Sequence, residues 1–374
     1  MTMIVRVQNK KHQKEFIEFP RNLYAGEPNY ISDLNVTVKN KLSKNNPFLK
    51  HSEVAMFMAK DSSSQKPLGR IAAIYNKTHL AVNDDNSGFF GFFDCIQDKE
   101  ISDDLINTAS EWLKDKGLKR MIGPTNLTTN NSCGILIQGF EYPNQVDMPY
   151  NHSYYSRLLE ENGLSKVIDL YAYHLIDKPD LEKYSNLMSR AKSRLSNMGV
   201  RIRSITAKTF KSDIRRLRLI YNKCNREHWG FLPLNDEEFM AMAQDLKSIM
   251  PYKLGILAEL NNEIVGYIIA VPDFNQVLKR IPNGKLWPYG IFKILKYRNK
   301  IDSARVMIIG VDPDLRGSGL DLILYQAITN ALYDQNIFQC EPAYVMETNK
   351  TMNSLMVKIG GTIRKRYRLY KKSI

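Results

Sequence analysis

Cysteine is scarce in this chain. The four cysteines in 374 residues, Cys95, Cys133, Cys224 and Cys340, lie far apart and form no C-x-x-C pair. Six histidines are scattered as well, with no H-E-x-x-H. Neither a disulfide framework nor a bound metal is expected, and the thiols read as reduced and mostly buried. Long apolar runs are also missing. No stretch approaches the roughly 20 apolar residues that a membrane-spanning helix needs. The opening "MTMIVRVQNKKHQKEF" turns polar within a few positions, unlike a secretory leader, so a cytoplasmic location is expected. Acidic residues are in deficit: 39 Asp and Glu face 53 Lys and Arg, a formal charge of +14. That surplus favours anionic partners in general (phospholipid headgroups, an acidic carrier, nucleic acid) and by itself selects none.

What is present reads as a soluble globular chain, 43% hydrophobic and 25% charged, long enough for two domains with separate cores. The second half is the clearer. "NMGVRIRSI" alternates like a strand, and "KSDIRRLRLIYNKCNREHW" places Ile214, Leu217, Ile220 and Tyr221 on one face of a helix. A further helix starts at an Asn235 or Asp236 cap, and Asn261-Asn262 joins two strands of a hairpin. Then come the strand "SARVMIIGVDP", the turn "RGSG", a helix, and a closing strand, helix and strand. In the tail "IRKRYRLYKKSI", Tyr367, Leu369 and Tyr370 alternate with basic residues, as in a strand with one wet face.

The halves repeat. Gly69 and Gly266, Gly163 and Gly360, and Tyr173 and Tyr370 occur in matching contexts, each pair 197 residues apart. The repeat sets an expected division into 1–178 and 179–374, joined through the helical stretch "DLEKYSNLMSRAKSRLSNM".

The order of elements, with Val311, Pro313, Arg316, Gly317, Gly319 and Leu320 at the strand-to-helix turn, resembles the GCN5-related N-acetyltransferase (GNAT) family and its R-x-x-G-x-G/A loop, here one residue short. "ETNKTMNSLMVKIGG" resembles that family's later N-x-x-A-x-x-x-Y-x-x-x-G segment, but Met356 stands where the family often has a tyrosine used as a general acid. The fold implied is α/β: two tandem GNAT-like domains, each a mixed, mostly antiparallel sheet flanked by helices. The first half carries Asp94-Cys95-Ile96-Gln97-Asp98 in place of the glycine turn, acids that would repel a pyrophosphate. It is expected to be non-catalytic, as in the tandem Fem peptidyl transferases and protein N-myristoyltransferase, by analogy.

The glycine turn answers to a physical need. A helix opening at Gly317–Leu320 leaves backbone N–H groups unpaired at the positive end of its dipole. A turn without side chains lets a phosphate approach, and Arg316 adds charge. The alternative is a plain tight turn. The resemblance makes Ile309, Val311, Arg316, Gly317, Ser318, Gly319 and Leu320 the site of an acyl-CoA or acetyl-CoA donor, with an acyl carrier protein as another possible source, and it implies no metal. Strand Met307–Val311 would then polarise the thioester carbonyl. Aminolysis also needs a base. Glu347 is the first candidate and His228 the second. Glu347 reads equally as a solvated or capping carboxylate, and Asn349 either orients the donor or caps the helix after it. For the acceptor, the candidates are Asn225 and Trp229 in "NREHWGFLPL", Asn126 in the asparagine-rich loop "GPTNLTTNNSCG", Tyr150, and Trp287. Each has a packing or loop-bracing alternative.

Trp287 belongs to an insertion, about 272–302, that mixes apolar, aromatic and basic residues. It reads either as an interfacial segment touching anionic lipid or as a helical cover with Ile291, Ile294 and Leu295 buried. "GRIAAIYN", "GFFGFFD", "PYNHSYY", "DLYAY" and "ETNKTMN" resemble a bacterial family of tandem GNAT-like proteins associated with ceramide synthases, which join a fatty acyl group to a long-chain base amine. That resemblance implies N-acylation of an amphipathic amine, with peripheral contact at the inner membrane. Nucleic acid is then not an expected partner. The alternatives are acetylation of a small soluble amine, Fem-like transfer from charged tRNA, and a tandem GNAT protein that binds acyl-CoA or lipid without turnover.

Overall fold

Strands and helices of the computed structural model, which describes residues 2–176 and 185–374, follow one plan twice. The first half runs β1 (Thr2–Arg6), α1 (Lys10–Leu23), α2 (Asn35–Lys41), β2 (Ser52–Asp61), β3 (Pro67–Asn76), α3 (Lys77–Asn83) and β4 (Ser87–Cys95). It continues with α4 (Lys99–Lys114), β5 (Arg120–Gly123), β6 (Ile135–Gln138), α5 (Tyr155–Glu161) and β7 (Ser165–Ile176). The second half opens with α6 (Ser185–Asn197), β8 (Arg201–Ser204), α7 (Phe210–Asn225), α8 (Asp236–Lys247), β9 (Gly255–Leu260) and β10 (Glu263–Pro272). The insertion holds α9 (Asn275–Leu278) and α10 (Tyr289–Tyr297). Then follow β11 (Ser303–Val311), α11 (Leu320–Tyr333), β12 (Gln339–Pro342), β13 (Val345–Met346), α12 (Lys350–Lys358) and β14 (Thr362–Ser373).

Two compact units result. One holds Met1–Leu170, Asn275–Tyr297 and Lys365–Ile374; the other holds Tyr171–Phe274 and Arg298–Arg364. Neither is contiguous in sequence. The insertion helices are counted with the first unit rather than with the half that encodes them. The 178/179 division and the start of the joining stretch lie outside the described residues.

In the first unit β1, β2, β3 and β4 are antiparallel neighbours, β5 lies parallel to β4, and β14 closes antiparallel on β5. In the second unit β8, β9, β10 and β11 are antiparallel, β12 lies parallel to β11, and β7 closes antiparallel on β12. Each sheet is therefore completed by the last strand of the opposite half of the sequence. That arrangement is not visible in a repeat period, because the period aligns β7 with β14 without saying which sheet each one joins.

Helices cover these sheets through apolar stripes at helical spacing. On α4 these are Ile101, Leu105, Ala109 and Leu113; on α11 they are Leu320, Leu324, Ile328 and Leu332, all buried. The repeated glycines make the same allowance in both units. A Cβ on Gly69 would lie 2.7 Å from Leu105, and one on Gly266 would lie 3.1 Å from Leu320. Local signals agree as well. Asn235 forms a capping box with Glu238, Asn261 and Asn262 both have positive φ as a tight hairpin demands, and Ile214, Leu217, Ile220 and Tyr221 are buried on α7. All four cysteines are free, and Cys95, Cys133 and Cys224 are buried.

Candidate functional site

In the second unit, the pairing of β11 with β12 runs only from Ser303↔Gln339 to Val306↔Pro342. Beyond that point the chain after β12 turns away and β13 pairs with β7 instead. Residues Met307–Val311 thus keep β10 on one side and, among the described residues, have no strand on the other. They are all partly exposed. Met307 is also the extra residue of a bulge, since Ile269↔Ile308 is followed directly by Ala270↔Val306. Among the described residues, the one side-chain bond to this stretch is Cys224 Sγ to the Val311 carbonyl at 3.2 Å. An open, bulged edge of this kind offers backbone donors and acceptors to an extended amide-bearing chain.

At the end of β11 the turn opens into α11. Gly317 and Gly319 have φ of +75° and +85°, a backbone state that favours glycine. Gly319 is the N-cap and supplies no side chain to the helix. Ser318 Oγ accepts from the Leu320 N–H at 3.3 Å, while the N–H groups of Gly319, Asp321 and Leu322 have no partner among the described residues. A 14-residue helix thus presents its positive end uncapped beside the exposed Arg316. Gly319 has a second reason to be glycine: a Cβ there would sit 2.7 Å from the Ala191 Cβ on α6. Nothing lies within 4 Å of the equivalent point on Gly317.

The loop after α7 approaches this turn. Arg316 donates to the Cys224 carbonyl at 3.3 Å, and Lys223 pairs with Asp312 at 2.8 Å. His228 is partly buried. Burial, helped by the nearby Arg316 guanidinium and opposed by Glu227, holds its imidazole below the ordinary range, which keeps it neutral and able to accept a proton. Asn225 is engaged elsewhere: its amide donates to the Tyr221 carbonyl at 2.8 Å and to the buried Tyr267 hydroxyl at 3.2 Å, so it ends α7 and fixes Tyr267. Trp229 is partly buried in the same loop. Glu347 follows β13 and is partly exposed. Asn349 caps α12, its side chain accepting from the Met352 N–H at 3.1 Å. Met356 is wholly buried in the core of this unit, so no proton donor stands at that position.

The matching region of the first unit is closed. Asp98 caps α4, its carboxylate accepting from the Ile101 N–H at 3.2 Å, so the helix end already holds an anion. β4 also bulges, but there the chain after β5 stays in contact. Thr125 N–H donates to the Phe90 carbonyl at 2.7 Å, and Asn126 Oδ1 accepts from the N–H of Phe92, whose φ is +48°. Where Tyr267 pairs with Gly310 in the second unit, Arg70 pairs with Asp94 here, 2.7 Å apart, and Tyr24 donates to the same carboxylate. Asn126 and Tyr150, taken from the sequence as acceptor-binding residues, both line a cavity of about 140 Å³ in this unit. So do Tyr24, Tyr30, Asp33 and Ser132, which sequence reasoning missed. Serine in the "NNSCG" turn was within its reach; Asp33 carries no local signal at all.

Trp287 is not among the cavity-lining residues. It is 70% exposed, next to α10, on which Tyr289, Phe292 and Leu295 are 75%, 65% and 55% exposed. Gly290 is buried and Ile291 and Ile294 are partly so; Leu295, which the helical-cover alternative would bury, faces solvent.

No family model matches the chain. It is 32% identical over 378 residues to protein YghO of Escherichia coli, covering 98% of this chain and 94% of that one. It is 30% identical over 380 residues to the bacterial ceramide synthase of Caulobacter vibrioides, covering 99% and 97%. Among solved structures, a tandem GNAT protein from the clavulanic acid biosynthesis pathway matches with a TM-score of 0.58 at 9% identity, covering 100% of this chain and 98% of the other. A GCN5-related N-acetyltransferase from Sphaerobacter thermophilus matches with 0.55 at 12% identity, covering 100% and 95%. At such identities the two structures establish the shared fold.

Proposed function

We propose that this chain, which belongs to the family of YghO and the Caulobacter ceramide synthase and is an acyltransferase of tandem GNAT fold, transfers an acyl group from a coenzyme A thioester to the amine of a long-chain base. The observation that carries the donor assignment is the conjunction in the second unit of an open β11 edge with an uncapped α11. The edge suits the amides of a pantetheine arm; Arg316 and the free N–H groups of Gly319, Asp321 and Leu322 suit a pyrophosphate. Ile309, Val311, Gly317, Ser318 and Leu320 complete that frame.

The reaction is an aminolysis. The amine nitrogen bonds to the acyl carbon, the carbon–sulfur bond breaks, the amine gives its proton to a base, and the departing thiolate takes up a proton. His228, kept neutral beside Arg316, and Glu347 are the bases within the second unit. A long-chain acceptor is supported by the relative's name and by the exposed apolar-basic face around α10. There Trp287, Tyr289, Phe292 and Leu295 stand among the exposed Lys285, Lys293 and Lys296, the composition of a segment that rests on an anionic bilayer.

The test is direct. Purified protein is given palmitoyl-CoA or acetyl-CoA with sphinganine, and both thiol release and amide formation are followed. Amide from palmitoyl-CoA, abolished by Arg316→Glu, is the expected result. Thiol release without amide, or amide formed equally well by Arg316→Glu, would overturn the assignment.

A further inference from the structure

β11 and β12 part abruptly. Strand pairing stops at Val306↔Pro342, and one more backbone bond follows, from the Ala343 N–H to the Val306 carbonyl at 3.2 Å. In a parallel ladder, a residue that gives its N–H to the neighbouring strand also turns its carbonyl towards that strand. The Ala343 carbonyl takes no backbone N–H among the described residues. It accepts instead from a side chain: Arg305 on β11 donates to it from Nε at 3.3 Å and from Nη2 at 3.2 Å. The same guanidinium lies 5.2 Å from the centre of the Tyr344 ring, the next residue of the departing chain. Arg305 is 4% exposed and Ala343 3%, so both ends of this contact are out of water. A buried guanidinium is costly unless its bonds are made, and its charge-assisted bonds are stronger than those between neutral groups.

The first unit makes the same turn without an arginine. There Thr125, after Pro124, donates its N–H to the Phe90 carbonyl at 2.7 Å, as Ala343, after Pro342, donates to Val306. Counted from those two acceptors, Phe89 stands where Arg305 does, and Gly91 where Met307 does. The Thr125 carbonyl lies hard against β4: a Cβ built on Gly91 would be 1.7 Å from its oxygen. The chain then stays on the strand, and Asn126 accepts from the Phe92 N–H. In the second unit a side chain at Met307 excludes that approach, and a cation two residues earlier takes the carbonyl. One edge is covered and the other open.

We propose that Arg305 is a positioning residue for the donor. By holding the Ala343 carbonyl it fixes where the chain after β12 leaves β11, and so sets the groove that takes the pantetheine arm. This rests on the reading that an acyl-CoA lies along the β11 edge, and it adds the side chain that keeps the edge in shape.

The experiment uses the full chain with Arg305→Met, which removes the donors, and Arg305→Lys, which keeps the charge but not the paired bonds. Thermal melting checks the folding of both. Calorimetry compares CoA with 3′-phospho-ADP, the part of CoA that lacks the pantetheine arm and needs only the turn before α11. Arg305→Met should weaken CoA about tenfold, as for the loss of a charge-assisted contact, and leave 3′-phospho-ADP unchanged; Arg305→Lys should fall between. In turnover the acyl-CoA KM should rise by a like factor while the amine KM stays. Equal weakening of both ligands would make Arg305 a general support of the fold, and unchanged CoA binding in a folded variant would remove it from the donor site. Either result overturns the proposal. Should Arg305→Met fail to fold, Arg305→Lys decides by the same comparison. If CoA does not bind the wild type, the donor reading fails by itself, and hydrogen exchange decides the latch. Faster exchange of the amides of residues 343–347 in Arg305→Lys then upholds it, and unchanged exchange refutes it.

Discussion

Gly317 and Gly319 have nearly the same backbone conformation but very different surroundings, so alanine at each separates two reasons for a glycine. At Gly317 a Cβ meets open space, and the cost is that of holding a non-glycine residue at φ +75°, about 1 kcal/mol. At Gly319 the same conformational cost applies at φ +85°, and in addition the new methyl would stand 2.7 Å from the Ala191 Cβ. Neither atom is the tip of a flexible side chain, so α6 or α11 must move. Overpacking of that kind costs about 1–3 kcal/mol, which puts Gly319→Ala at about 2–4 kcal/mol in all. Urea denaturation of the full chain, read with matched m-values, should therefore rank Gly319→Ala below Gly317→Ala by about 1–3 kcal/mol. Ala191→Gly on the Gly319→Ala background should return part of the difference, less about 1 kcal/mol for a glycine inside a helix. Equal destabilisation by the two alanines, within about 0.5 kcal/mol, would refute the packing of α6 against the turn and leave backbone conformation as the whole account.

The acid limb of kcat/KM tests His228. Burial and Arg316 lower its pKa, so the neutral base persists below pH 6.5 and is lost only as the pH falls through that lowered value. Wild type should therefore hold its activity on mild acidification, and His228→Gln should lose most of it at every pH; a variant with an unaltered profile assigns the proton transfer to Glu347. Around α10, Phe292→Glu with Leu295→Glu removes two exposed apolar side chains and adds two negative charges. Binding to phosphatidylglycerol vesicles should weaken by more than about tenfold, given roughly 1.5–3 kcal/mol for each apolar side chain fully buried. Unchanged sedimentation with such vesicles would refute a role for this face.

Local chemistry was legible in the sequence and long-range closure was not. The Asn235 cap, the Asn261-Asn262 turn and the stripe on α7 depend on residues within a few positions of each other, and each stands where the pattern placed it. The repeat was legible because its glycines answer to packing: Gly69 and Gly266 each make room for the helix that covers the sheet. Strand exchange was hidden, because the repeat aligns β7 with β14 and carries no information on which sheet each one closes. The tail was read as having one wet face, but Lys365 is only 2% exposed, at a position that the alternation gives to an inward residue. At the turn before α11 the glycines were visible, while the reason for one of them lay in Ala191, more than a hundred residues earlier. The cavity was glimpsed through Asn126 and Tyr150, yet Asp33 and Ser132 come together with them only through the fold.

The two units share a topology and differ at the points where a donor would sit. In the second, the fourth strand keeps an open edge and the helix after it begins on Gly319. In the first, Asn126 occupies an N–H of the corresponding strand, Asp98 caps the corresponding helix, and Arg70–Asp94 fills the place of Tyr267 and Gly310. These closures use different atoms and different chemistry. Removing the Asp98 carboxylate would free the N-terminus of α4 but leave the edge of β4 engaged. Removing Asn126 would free the Phe92 N–H but leave the Asp98 carboxylate at the start of α4. No single substitution reopens the site. A half closed by independent bonds, each satisfied within the protein, is held by its own interactions rather than by the mere loss of a motif. It is therefore free to keep a cavity for another purpose.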